Sequence, residues 1–540
     1  MTMLFMKKKY QLERFFVTWL MILFMILTDA FTAFAQVKQA TFLVNGISCD
    51  LEQGILKVEF VTPDVVRVQY TGENTFIGNG TDVCLPRAVD NPVRWVYTPN
   101  PDCYLLKSDS LIVRVDLSTA SITYLDKEGG LLLQEDQNIP RISEKRVTKQ
   151  VIYDEHSKHI EKTADGDKEI KNVLRYDTIG HTWKYRINFK WQPLEALYGW
   201  GAHMEDYMNL RGKELYLCQH NLKAMVPVLN STAGYGLLFD AGCAMMFKDN
   251  SEGSFVELEA AKQIDYYFMK GKTMDAVVAN YRLLTGNSPM MPLYLFGYIQ
   301  SKERYVSSDD LINTLKEYRQ RQIPIDMIVQ DWNYWPEGQW GNMSMNPKFY
   351  PDKRKLADEI HSLHAKLMIS IWPNAMNCPQ HEEFRRKGWL LSGTSVYDAF
   401  NPLARKLYWN YANNEFFGNG FDAWWCDASE PLDADWTFMK DGYGADNHRQ
   451  RWELNTNLLN SVLGAERSQL YSLYHAKGIY ENQRSTNEDK RVVNLTRSSY
   501  AGQQRYSTIT WNGDTYATWQ SFAQMIPAGL NFMAITAALI

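Results

Sequence analysis

The chain has 540 residues, a formal net charge of -5, 17 Trp and an aromatic content of 13%. A single hydrophobic core stops growing near ~250 to 300 residues, so two or more domains are expected. The mildly acidic balance argues against a nucleic-acid partner and for a soluble, neutral ligand bound by a large globular enzyme or a carbohydrate binder.

Lys7, Lys8, Lys9 and Arg14 precede an apolar run at residues 15–27, and Ala33-Phe34-Ala35 follows as a small-residue cleavage site. The run is ~13 residues against the ~20 that a membrane span needs, so residues 1–35 read as a signal peptide. The mature chain is then expected to begin at Gln36, with a charge of about -7, no membrane span, and a periplasmic or secreted location. All seven Cys lie beyond residue 35 without a C-x-x-C pair or a zinc spacing. They form no disulfide framework, and neither metal nor cofactor is implied.

From residue 36 to about 285 the pattern is short alternating strands, such as Ile55-Leu56-Lys57-Val58-Glu59-Phe60 and Ser110-Leu111-Ile112-Val113-Arg114-Val115. Repeated period two predicts an antiparallel β-sandwich. Residues 143–172, dense in Lys, Glu and Asp, read as a solvated hairpin or loop. Tyr198-Gly199-Trp200-Gly201 and Gly234-Tyr235-Gly236 read as tight turns. Residues 273–284 have a helical pattern, and Gly286-Asn287-Ser288-Pro289 marks a domain junction.

Residues 286–540 alternate strands and helices. Strands are expected at 294–300, 325–330, 367–371, 421–426, 492–497 and 508–511, with helices opening at Ser307 and covering 403–416 among others. Polar or aromatic residues close nearly every strand: Asp331-Trp332, Trp372-Pro373, Asp427, Arg497 and Asn512-Gly513-Asp514. This is the pattern of a (β/α)8 barrel, whose strand C-termini converge on one pocket. Carboxylates, an arginine and tryptophans facing one cavity describe a sugar site. A glycosidase that retains configuration needs two acids ~5 to 5.5 Å apart, and Asp427 with Asp514 is the candidate pair.

Trp425-Cys426-Asp427-Ala428-Ser429-Glu430-Pro431 resembles the W-x-D-x-x-E-P nucleophile signature of family 31 of the glycoside hydrolases, and Arg497-Ser498 with Trp511-Asn512-Gly513-Asp514 resembles its acid/base region. Gln330-Asp331-Trp332, Ile371-Trp372-Pro373 and Tyr198-Gly199-Trp200-Gly201 match in order and spacing. The resemblance implies a retaining α-glycosidase acting on an oligosaccharide, with Asp427 as nucleophile and Asp514 as acid/base. It also implies that Asp331, Arg497, Trp425 and Trp511 bind the sugar. Trp332 and Trp372 are further candidates, with barrel-mouth packing as their alternative role. Glu430 is expected to orient the loop, and Cys426 to face the core. The Asp331-Trp332-Asn333-Tyr334-Trp335 loop resembles bacterial α-xylosidases that act on xyloglucan side chains; a bulky Trp at the site of a hexose CH2OH would prefer xylose. An α-glucosidase and a non-catalytic sugar binder are the alternatives. Six strands are counted up to Asp514, and a helix at 515–529 is expected to lead into a partial seventh, so the barrel is expected to be incomplete and the chain truncated.

Overall fold

The computed structural model describes residues 36–77, 83–85, 92–163, 166–432, 434 and 448–536, and the expected signal segment lies outside them. The first half is a β-sandwich. In Ile55–Thr62 the alternate residues Leu56, Val58 and Phe60 are buried, which is what period two produces when one face of a sheet is covered. One sheet has eight strands, running from Val37–Leu43 at one edge to Leu197–Ala202 at the other. The second has ten strands among the described residues. Its strand Arg141–Tyr153 pairs along its length with Val173–Lys190, and with the hairpin His159–Thr163 and Gly166–Ile170 it forms the charged arm expected at 143–172. The sheets meet over aromatic rings, with Tyr124 stacked on Phe268 at 4.0 Å.

Tyr198-Gly199-Trp200-Gly201 is a bulged strand instead of a turn. It lies inside Leu197–Ala202, with φ of 124° at Gly199, 64° at Trp200 and 96° at Gly201 and a register shift between the two glycines. A Cβ on Gly199 would lie 2.5 Å from the Val228 carbonyl oxygen and 2.9 Å from Ile535 Cδ1. Glycine is therefore required there by a positive φ and by a helix packed onto the bulge.

Helix α1 (Met274–Thr285) is capped by the Thr273 hydroxyl and ends at Gly286, φ 96°. Its Tyr281 hydroxyl donates to Gln504 Oε1 (3.0 Å) and accepts from the Gly502 amide (2.8 Å), which ties the sandwich side to the second half of the chain.

That second half is a parallel sheet in the order β1 (Ile299–Gln300), β2 (Met327–Gln330), β3 (Lys366–Ile371), β4 (Ala423–Cys426), β5 (Asn494–Thr496) and β6 (Thr508–Thr510), six strands of a barrel among the described residues. Helices α2 (Ser308–Gln320), α3 (Lys353–Ser362), α4 (Pro379–Arg386), α5 (Pro402–Glu415), α6 (His448–Leu463) and α7 (Tyr471–Thr486) lie between the strands. Side chains alternate: Trp424 and Cys426 pack with the helices, while Ala423 packs inward with Met327, Val329, Met368, Val493, Leu495 and Ile509.

The first strand is much shorter than residues 294–300, because Leu293–Phe296 is a 3-10 turn. Gly297 then passes so close to Asp326 that its carboxylate accepts from the Tyr298 amide at 3.2 Å. The last helix, α8 (Trp519–Thr536), does not lead into a strand among the described residues. It turns back onto the bulge of the sandwich, where Asn531 Oδ1 accepts from the Gly199 amide (2.7 Å) and its Nδ2 donates to the Tyr207 carbonyl (2.9 Å).

Candidate active site

β4 is buried on both faces, as barrel strands are, and delivers its acids where it stops. The Asp427 amide donates to the Ile371 carbonyl (3.0 Å), so this residue still follows β3. At Ala428 the backbone turns into the left-handed region (φ 46°), and its amide donates to Asp427 Oδ1 (2.7 Å). The turn brings Glu430 back beneath the pocket, fully buried. There it takes Arg497 in a two-point grip, Nε to Oε1 at 2.8 Å and Nη2 to Oε2 at 3.3 Å.

Held in this way, Arg497 points its remaining nitrogen at both candidate acids. Nη1 lies 3.2 Å from Asp427 Oδ1 and 3.1 Å from Asp514 Oδ2. The two oxygens are therefore no more than about 6 Å apart, a bound compatible with the ~5 to 5.5 Å of retaining pairs and short of the ~6.5 to 9.5 Å that leaves room for a water in inverting ones. Burial works against the guanidinium charge, but Glu430, Asp427 and Asp514 outweigh it and hold its pKa well above the ordinary value. Asp514 is half exposed and Asp427 mostly covered.

Asp331 follows β2 and accepts from the Trp332 amide (2.8 Å). Burial, reinforced by the charges of Asp427 and then Asp514, pushes its carboxyl up to about 7. Trp425 and Trp511 close the floor, with ring centroids 4.8 Å apart. Trp332 is partly exposed and tilted against Trp340 (5.6 Å), which in turn meets Trp335 at 5.2 Å. Trp372 is only 5% exposed and stands edge-on to Trp335, so it props this wall more than it offers surface. The structure thus brings Asp331, Asp427, Arg497, Asp514, Trp425 and Trp511 together, puts Trp332 beside them and sets Trp372 behind.

Sequence reasoning missed Asn221. Its side chain donates to Asp514 Oδ2 (2.7 Å) and accepts from the Asp514 amide (2.9 Å), although it belongs to the sandwich. No sequence signal points to it; the close approach shows only in the structure, at Gly513 (φ 80°), where a Cβ would lie 2.5 Å from Asn221 Oδ1.

A β-sandwich packed against a parallel barrel sheet, with paired carboxylates at the strand ends, defines a glycoside-hydrolase architecture. The chain belongs to glycoside hydrolase family 31: the pattern of its N-terminal galactose mutarotase-like domain matches residues 55–247, and that of its TIM-barrel domain matches residues 288–539. An α-xylosidase of Saccharolobus solfataricus is 31% identical over 88% of this chain and 60% of its own length. An uncharacterised family 31 glucosidase of Pseudescherichia vulneris is 30% identical over 65% of this chain and 66% of its own length. The chain thus spans less than two thirds of these relatives. The crystal structure of a family 31 α-xylosidase from a soil metagenome, complexed with xylose, shares the fold with a TM-score of 0.73 at 23% identity, over 92% of this chain and 71% of that one.

Proposed function

We propose that this chain carries the catalytic centre of a retaining α-glycosidase that releases α-linked xylose from xyloglucan oligosaccharides. The observation that carries the proposal is the sharing of Arg497 Nη1 by Asp427 and Asp514. In the first step Asp427 attacks the anomeric carbon and the C–O bond to the leaving group breaks as Asp514 protonates that oxygen. In the second, Asp514 takes a proton from water, which attacks the same carbon and frees Asp427. Arg497 keeps Asp427 ionised, and Trp425 and Trp511 supply apolar faces for the sugar ring.

The preference for xylose rests on Trp332 at the mouth of the pocket and on the similarity to α-xylosidases. A pentose fits where a hydroxymethyl group would meet the indole. The same reading places the mature chain outside the cytoplasm, from the basic, apolar and Ala-Phe-Ala segments of residues 1–35. Comparing p-nitrophenyl α-xyloside with maltose tests the substrate. Xyloside is expected to be preferred by more than about tenfold in kcat/KM, since a clash costs more than one lost contact. A preference for maltose would make the enzyme an α-glucosidase.

A further inference from the structure

Asn221 sits at the tip of a tight turn that joins the two sheets of the sandwich, closed by the bridge between His220 and Lys223. Between strands Glu214–Leu217 and Ala224–Ser231 the chain closes in two residues, Asn221 and Leu222, with Leu222 at φ 74° and His220 bridged to Lys223 through both backbone amides. The side chains that fix this tip are buried. Gln219 Nε2 donates to the Met225 carbonyl (2.9 Å) just past the turn and to the Ser499 carbonyl (2.8 Å) just beyond β5. Lys223 forms a buried ion pair with Glu205 and donates to the Tyr216 carbonyl (3.0 Å). His220 Nε2 meets the Tyr216 hydroxyl at 3.1 Å. Asn221 itself is 0% exposed, so the tip is a preset part and not a surface loop that happens to touch the site.

The contact with Asp514 is reciprocal. The Asp514 amide donates to Asn221 Oδ1, and this fixes the orientation of the side-chain amide so that Nδ2 faces the carboxylate. Among the described residues, Asn221 Nδ2 and Arg497 Nη1 both donate to the same oxygen, Oδ2. An oxygen that accepts two donors is the poorer place for a proton, so the proton belongs on Oδ1. We propose that Asn221 is the positioning residue of the acid/base. It ties Oδ2 of Asp514 to the sandwich and leaves Oδ1 to carry the proton to and from the leaving-group oxygen. The inference rests on the acid/base role proposed for Asp514. It assigns the sandwich a part in catalysis, because the donor comes from the other half of the molecule.

The charged groups around Asp514 are Arg497 after β5, Asp427 after β4 and Asp331 after β2, while His220 on the tip faces the Tyr216 hydroxyl and the Asn221 carbonyl. A donor to a carboxylate favours its ionised form, so removing it raises the pKa. In Asn221→Ala the alkaline limb of kcat/KM is expected to move to higher pH. The rate loss is expected to be larger for a sugar leaving group than for p-nitrophenol. Asn221→Asp, which keeps the size and the acceptor but puts a second carboxylate beside the first, is expected to move the limb further in the same direction. A lower rate with an unmoved limb in both variants overturns the proposal.

A thermal double-mutant cycle on the full chain, with Asn221→Ala, Asp514→Ala and the pair, tests the contact without needing turnover. Non-additive Tm changes are expected, and additive ones overturn the inference. If wild-type protein cleaves no α-glycoside while the cycle is non-additive, the contact stands and the proposed function is what has failed.

Discussion

At the scale of the residue, Asp331 links the electrostatics of the pocket to the stability of the fold. Its carboxyl titrates near 7 in the folded protein against an ordinary value of 3.8, because it is buried beside Asp427. Between those two pH values the folded chain holds a proton that the unfolded chain has released, so stability falls as pH rises through that window and is not lost again below it. Asp331→Asn removes this dependence and keeps an acceptor for the Trp332 amide. The variant is expected to match wild type near pH 4 and to exceed it by ~1 to 3 kcal/mol above pH 7. Thermal melts across pH 4 to 8 check this, and a pH-independent difference between the two proteins would contradict it. At Asp514 the expectation is kinetic. Asp514→Ala should slow oligosaccharide cleavage by ~100-fold or more while sparing glycosyl fluorides, whose leaving group needs no proton; equal losses on both would move the proton donor elsewhere.

At the scale of the element, glycines that resemble turn signals can instead be packing requirements. Gly199 holds a bulge with φ 124° against the Val228 carbonyl and Ile535 of α8, whereas Gly212, also at positive φ, has nothing within 4 Å of a built Cβ. Gly199→Ala should therefore cost ~2 to 4 kcal/mol and Gly212→Ala about 1 kcal/mol, as read from urea midpoints. Equal costs would show that close packing at the bulge adds nothing. The strands ending in Asp331, Asp427 and Asp514 were legible because an apolar run closing on an acid is local information. α7 was not, because its buried face mixes Ser472, His475 and Gln483 with Leu473 and Ile479, which blurs the apolar stripe. Asn221 was not legible either, since only the docking of the two halves brings it to Asp514. Nor was the path of α8: its sequence announces a helix, but the partner that receives it, the bulged strand, carries the glycine pattern of a turn.

At the scale of the whole molecule, β1 and β6 are the edges of the parallel sheet among the described residues. Apolar side chains stand exposed beside β1 and along α8. Leu293 and Phe296 lie beside β1, and Trp519, Phe522, Ile526, Leu530 and Met533 form a stripe along α8 at helical spacing. An exposed apolar stripe favours association, as does a sheet edge left open among the described residues. The chain as given is expected to self-associate at micromolar concentration, and sedimentation velocity showing a monodisperse monomer would contradict this. The pair of carboxylates that share Arg497 can be probed with an activated fluoro-xylosyl donor that forms a glycosyl-enzyme faster than it is released. One xylosyl group is expected on Asp427 by peptide mass spectrometry, and none on Asp427→Ala. A label on another residue, or undiminished turnover by Asp427→Ala, would contradict it.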